Sequence, residues 1–181
     1  MPYLLFVLLF TSFIGTNTQI YKGTDLPKIK YNPNGELYTY SNYEVSLIKD
    51  LNCDWTKVSI TNLKTKKPLN LPSQLKCISF EGIIDGIAIF DYGTSIIRDK
   101  YIYDLNKDKL IDTLEIISLT GEKIIDNKFY YTRILTEAEI KNKKLPECVN
   151  TQVDFSGYIE EMYYDFHNKI KRHTGKIKCI K

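Results

Sequence analysis

The sequence has little with which to build an active site. It holds only two histidines, His167 and His173, and they lie six positions apart, so they would not face one another on a helix. No C-x-x-C pair, H-E-x-x-H helix, glycine-rich phosphate loop or nucleophile elbow occurs. Their absence removes the local patterns for zinc hydrolysis, phosphoryl transfer and serine nucleophiles. Adjacent carboxylates such as Glu160 and Glu161 point apart in either a helix or a strand. No N-x-S/T sequon is present, so a eukaryotic export route would leave the chain without N-linked sugar. The expectation is a protein that is not an enzyme, with no catalytic residue and no cofactor; an exported enzyme of unfamiliar type is the reading that this inventory disfavours.

Long apolar runs are also missing, except at the start. The opening MPYLLFVLLFTSFIGTNTQ is apolar from Leu4 to Phe10, continues through Phe13 and Ile14, and meets its first charge at Lys22. Such a run is short for a bilayer span and reads as a secretory signal over residues 1–18, cut near Thr18. An uncleaved anchor or a buried N-terminal strand is the alternative. Residues 19–181 are then expected to form a single domain, large enough to bury a core. No later segment is apolar enough for a membrane helix, so no membrane span is expected. The net charge of +3 is too small an excess to imply a nucleic-acid partner.

Four cysteines are present, Cys53, Cys77, Cys148 and Cys179. In an exported chain an even number predicts two disulfides, and the spacing leaves all three pairings open. A zinc site is the competing use, but the spacings lack a knuckle and the histidines do not pair with them.

What the sequence does have is alternation. YEVSLIK (43–49), KVSITNL (57–63), KCISFEG (76–82), GIAIFDY (86–92), TLEIISL (113–119) and KFYYTRI (128–134) read as half-buried strands. Turn signals separate them at 32–35, 66–72, 119–123 and 125–128. The fold class is mainly β: an antiparallel β-sandwich with one or two short helices, stabilised by disulfides. One helix is well marked: Thr136 and Glu139 form a capping box, Lys141, Lys143 and Lys144 follow, and Pro146 ends it shortly before Cys148. The second candidate is GYIEEMYYDFHNKI (157–170), where Ile159, Met162, Tyr163, Phe166 and Ile170 fall at helical spacing; a strand through Met162, Tyr164 and Phe166 is the alternative.

Two charged stretches carry candidate sites. In YIYDLNKDKLIDTLEI, Asp104, Asn106, Asp108, Asp112 and Glu115 occupy positions 1, 3, 5, 9 and 12 of a calcium-loop register. Position 6, where calcium loops need glycine for a sharp turn, is Lys109, and the flanks read as strands. A solvated turn is therefore expected, with no metal. The C-terminal stretch NKIKRHTGKIKCIK places Lys169, Lys171, Arg172, Lys176 and Lys178 close together without an acid. That row is expected either to protect a sheet edge or to hold sulfated glycosaminoglycan through charge.

Three stretches carry a resemblance to a known family. NCDWTKVSITNLKTKKPLNLPSQLKCIS brackets a strand and a Lys- and Pro-bearing loop between two cysteines; GIAIFDYGTSIIRDKYIYDLNKDKLIDTLEIISLTG runs strand, loop and strand; LTEAEIKNKKLPECVNTQVDF leads a capped helix into a cysteine. In this order they resemble the secreted poxvirus immune-evasion domain, the family of the viral CC-chemokine inhibitor and its relatives, over about residues 51–156. The resemblance implies a β-sandwich that is secreted, or kept within the secretory pathway, and binds a host immune protein. It carries no ligand-contact residue across. This chain departs from the family in having few cysteines, with Phe155 and Ser156 where a further one would fall, and residues 19–50 have no counterpart. Chemokines are basic and this chain is net positive, so a chemokine is the less expected partner. The alternative function is a bacterial exported or periplasmic β-rich protein with a structural or envelope role and a calcium-stabilised loop.

Overall fold

The computed structural model describes residues 26–53, 56–93, 95–118, 121–147 and 157–180; residues 1–18, read above as a secretory signal, and Cys148 lie outside them. The first sheet contains β1 (Lys28–Asn32), β2 (Gly35–Thr39), β3 (Tyr43–Lys49), β4 (Thr56–Asn62) and β5 (Lys67–Pro68). A 3-10 turn at Ser73–Leu75 leads to the middle sheet, β6 (Ser79–Ile84), β7 (Ile87–Tyr92), β8 (Ile97–Asp104) and β9 (Lys109–Ile117). The third sheet holds β10 (Lys123–Ile125), β11 (Lys128–Ile134), β12 (Tyr158–Asp165) and β13 (Ile170–Cys179), with helix α1 (Glu137–Ile140) between β11 and β12. Within each sheet every strand pairs antiparallel with the next in sequence.

The turns are built from the residues that tolerate them. Asp85–Gly86 and Asp126–Asn127 each close a two-residue hairpin with both residues at positive φ, which is the geometry that lets adjoining strands keep their twist. At Gly35 the reason for glycine is space, since a Cβ there would lie 1.9 Å from the Leu47 carbonyl oxygen.

Two apolar cores make the three sheets a stack. Tyr43, Val45, Leu47, Val58 and Ile60 of the first sheet pack against Ile83, Ala88, Phe90 and Tyr103 of the middle one. On the opposite face, Ile87, Ile89, Ile102, Leu114 and Ile116 pack against Phe129, Tyr131, Met162, Tyr164 and Phe166 of the third. The middle sheet is therefore covered on both sides. This explains why β7 reads Ile-Ala-Ile-Phe without a polar break: all four are 0% exposed, whereas half-buried strands alternate. The expectation that this strand is half-buried is corrected accordingly.

Residues 158–165 are a strand and not a second helix. Met162, Tyr164 and Phe166 bury at period two against Phe129 and Tyr131, and these aromatic positions suit a pleated surface better than a helix. Helix α1 keeps its expected capping box but is a single turn. The disulfide Cys53–Cys77 ties the β3–β4 connection to the chain entering β6, with Cα atoms 5.1 Å apart. Cys179 is also disulfide-bonded.

Candidate functional site

Charged side chains gather in four places, and their surroundings decide what each can do. The first is inside the stack. Lys100 on β8 is 1% exposed and lies against Glu81, with Glu122 at 3.1 Å and Asp91 at 3.4 Å; Arg98 pairs with Asp91. Alternation puts Lys100 and Arg98 on the same face of β8 as Ile102, so they continue the second core toward its edge. Burial opposes charge on Lys100, but the three carboxylates outweigh it and hold the ammonium above its ordinary range. For Glu81 burial wins over the pull of Lys100, and its carboxyl rises from 4.5 to about 7. A carboxyl whose pKa is higher in the fold than in the unfolded chain adds stability below the unfolded value, and that stability is lost as pH rises through the folded value. The melting temperature should therefore fall between pH 5 and pH 8, and Glu81→Gln should flatten the decline. Thermal scans across that range check this; an unchanged slope in the variant would place the titration elsewhere.

The second cluster surrounds Glu160, which is 2% exposed. Its oxygens meet Arg133 Nη2 at 3.0 Å, Lys143 Nζ at 2.6 Å and His173 Nδ1 at 3.0 Å, while Arg133 also grips Glu139 of the capping box. Burial alone would raise the Glu160 carboxyl, yet its bonds from Lys143 and His173 hold it below the ordinary carboxylate range. This network pins α1 and the chain after it onto the third sheet, and so gives Lys143 a tertiary use beyond its place near the end of a helix. It lacks an activated nucleophile.

The third place is the acidic turn. Asp104 is fully buried, accepts from the backbone N–H groups of Asn106 and Lys107, and bonds Lys169 Nζ at 2.5 Å. Asn106 accepts from the Tyr43 hydroxyl, and Asp108 accepts from the Tyr103 hydroxyl and the Asn70 backbone. Asp112, along β9, pairs with Lys171 at 2.7 Å, and Glu115 is exposed farther along the same strand. Four of the five oxygen-bearing residues thus serve separate partners, Glu115 points away from them along β9, and Asp108 takes the positive φ of 50°. The turn binds the middle sheet to the first through Tyr43 and Asn70. Adding millimolar calcium should leave the melting temperature unchanged; a rise of several degrees that disappears in Asp108→Ala would restore the metal reading.

The fourth place is the basic C-terminal strand. Of the five cations in its row, Lys169, Lys171 and Lys176 are neutralised by Asp104, Asp112 and Glu161. Gly175, at a φ of +79°, sits where β13 carries extra residues opposite Glu161, so the row does not alternate regularly. The structure separates Lys169 and Lys171, which reach the acidic turn and β9, from Arg172 and Lys178, which stand on the outward face of the third sheet.

That outward face is the candidate binding surface. Lys123, Tyr130, Tyr163 and Arg172 are direct neighbours on β10, β11, β12 and β13, forming one row across all four strands. The two tyrosine rings are 5.5 Å apart, with Lys123 Nζ 5.6 Å from the Tyr130 ring and Lys128 Nζ 5.3 Å from the Tyr163 ring. Beside the row a cleft of about 290 Å³ is lined by Lys123, Tyr130, Thr132, Ile159, Glu161 and Lys178. Sequence reasoning saw the cations of the C-terminal strand but missed Lys123 and Lys128, which lie some 50 residues upstream. The available signal was KFYYTRI itself: its inward residues are Phe129, Tyr131 and Arg133, leaving Tyr130 outward.

Among the described residues no group of three or more His, Cys, Asp or Glu side chains is placed to hold a metal, and no helix is long and apolar enough to cross a membrane. No protein-family model matches the chain, and no curated protein or solved structure matches it.

Proposed function

We propose that the protein is an exported, non-enzymatic binding protein: a secreted immunomodulator that engages a host immune protein. The observation that carries the binding role is the contrast between the two kinds of charge. The buried clusters are internally paired, whereas the third sheet presents tyrosines and cations outward. The disulfide-bonded β stack is compatible with export, and the order of cysteines, strands and capped helix supports the immune reading through the resemblance described above. A basic face favours a neutral or acidic partner over a chemokine. Retention at cell surfaces by sulfated glycosaminoglycan belongs to the same reading.

The test is expression of the full chain in animal cells, followed by interferometry of the secreted protein against costimulatory ligands, cytokine receptors and chemokines. The expected result is export with no free thiol and submicromolar binding to a non-chemokine immune protein. Retention in the cytosol with reactive thiols, or no binding together with no effect on lymphocyte costimulation, would overturn it.

A further inference from the structure

We propose that the cleft on the outward face of the third sheet is a subsite for one anionic sugar residue of a glycan chain. This inference rests on the exported binding role, but it assigns a site and a ligand chemistry of its own.

The lining supplies the four contacts that such a sugar needs. Ile159 is 7% exposed and provides an apolar floor, and Tyr130 provides an aromatic wall, which suit the C–H faces of a pyranose ring. Lys123 and Lys178 stand on opposite edge strands, so a carboxylate or sulfate in the cleft is reached from both sides. Glu161, 3.0 Å from Lys176, places a carboxylate in the lining that can accept from a sugar hydroxyl. At about 290 Å³ the space lies at the small end of ligand sites, which run from roughly 300 to 1,000 Å³.

Charge supports an anion. Lys123, Lys128, Arg172 and Lys178 gather on one face of the third sheet and are in none of the ion pairs that hold Lys100, Arg133, Lys143, Lys169, Lys171 and Lys176 to acids. Arg172 and Lys128 flank Tyr163 beyond the cleft, and they mark the direction in which a chain of anionic residues would continue along the row. The carboxylate of Glu161 in the middle disfavours a phosphate backbone, whose every unit is charged, and favours a sugar that carries both an anion and free hydroxyls. The lysine row of β13 is thus not the site. Two of its members contribute, together with two lysines from β10 and β11.

Calorimetric titration of the folded, disulfide-intact protein with three oligosaccharides separates the sources of the anion: a heparin hexasaccharide (sulfate and carboxylate), a hyaluronan hexasaccharide (carboxylate alone) and a sialylated lactose. At least one should bind, with affinity that falls as salt rises. Lys123→Ala combined with Lys178→Ala should weaken that binding at least tenfold. Lys28→Ala combined with Lys30→Ala removes the same charge from exposed β1 and should change it less than twofold. Tyr130→Ala should weaken it several-fold with little change in salt dependence. Equal losses in the two lysine pairs, or no binding of any of the three at low salt, would overturn the proposal. So would tighter binding of a single-stranded RNA oligonucleotide that is lost in the Lys123 and Lys178 variant. None of these outcomes depends on finding an immune ligand, so failure of the glycan site and failure of the immunomodulator reading are told apart.

Discussion

Lys100→Met should lower the stability of the protein by about 3–5 kcal/mol, a large part of what holds a domain of this size together. Lys100 is 1% exposed, and its ammonium is the shared counter-charge of Glu81, Asp91 and Glu122. Methionine keeps most of the length and apolar stem, so little packing is lost. What the substitution leaves is three carboxylates in a dry edge of the second core, with Arg98 as the remaining cation beside Asp91. The fold must then protonate those groups, admit water or separate β8 from β6 and the segment at Glu122. Chemical unfolding reads the effect as a shift of the urea midpoint at constant slope. Combining Lys100→Met with Glu81→Leu should recover part of the loss, because it removes a buried charge along with its partner. A loss below about 1 kcal/mol in the single variant would mean that the cluster is hydrated and contributes as a surface pair does.

This cluster also shows where the sequence stops being legible. Lys100 stands in RDKYIYD, a segment that looks like the solvated side of a strand, because four of its seven residues are charged. Pattern alone assigns lysine to solvent; the partners that make burial tolerable come from β6, β7 and the chain before β10, and their convergence is tertiary. The same holds for Glu160, whose neighbour Glu161 is also acidic but whose partners arrive from β11, β13 and the chain after α1. Short-range chemistry, by contrast, was readable. The capping box at Thr136 and Glu139, the alternation of β3, β4 and β11, and the polar turn at 104–108 each depend on residues a few positions apart. The uninterrupted apolar run of β7 held the clue to a third layer, since one strand can bury both faces only between two sheets. Helical spacing in 157–170 misled because Ile159 and Tyr163 face outward on β12 while Met162, Tyr164 and Phe166 face in. Their sum imitates a 3.6 period. The binding face was half legible, as the cations were visible but the register joining β10 to β13 was not.

Removing the Cys53–Cys77 bridge should cost roughly 3 kcal/mol, in the middle of the 2–5 kcal/mol range for native disulfides. The argument rests on the unfolded chain. The bond closes a loop over a sequence separation of 24, and in the chain-entropy picture a loop of that size restricts the denatured ensemble by roughly that amount. Neither core contains Cys53 or Cys77, so the double variant Cys53→Ala with Cys77→Ala opens no cavity in them. The bridge nevertheless joins the two sheets that share the first core: Cys53 follows β3, and Cys77 precedes β6. Its loss frees the segment bearing Leu71, Leu75 and Ile78, all buried in that core, and hydrogen exchange should rise there before it rises in β7. The second disulfide involves Cys179, and with Cys53 and Cys77 joined the sequence holds one further cysteine, Cys148. Peptide mapping without reduction should accordingly recover a Cys53–Cys77 fragment and no reactive thiol. Urea unfolding of the double alanine variant should show a lower midpoint while the second bridge stays intact. An unchanged midpoint would mean that the reduced loop is already held by Leu71, Leu75 and Ile78, so that packing of this segment and not the covalent link joins the first sheet to the middle one.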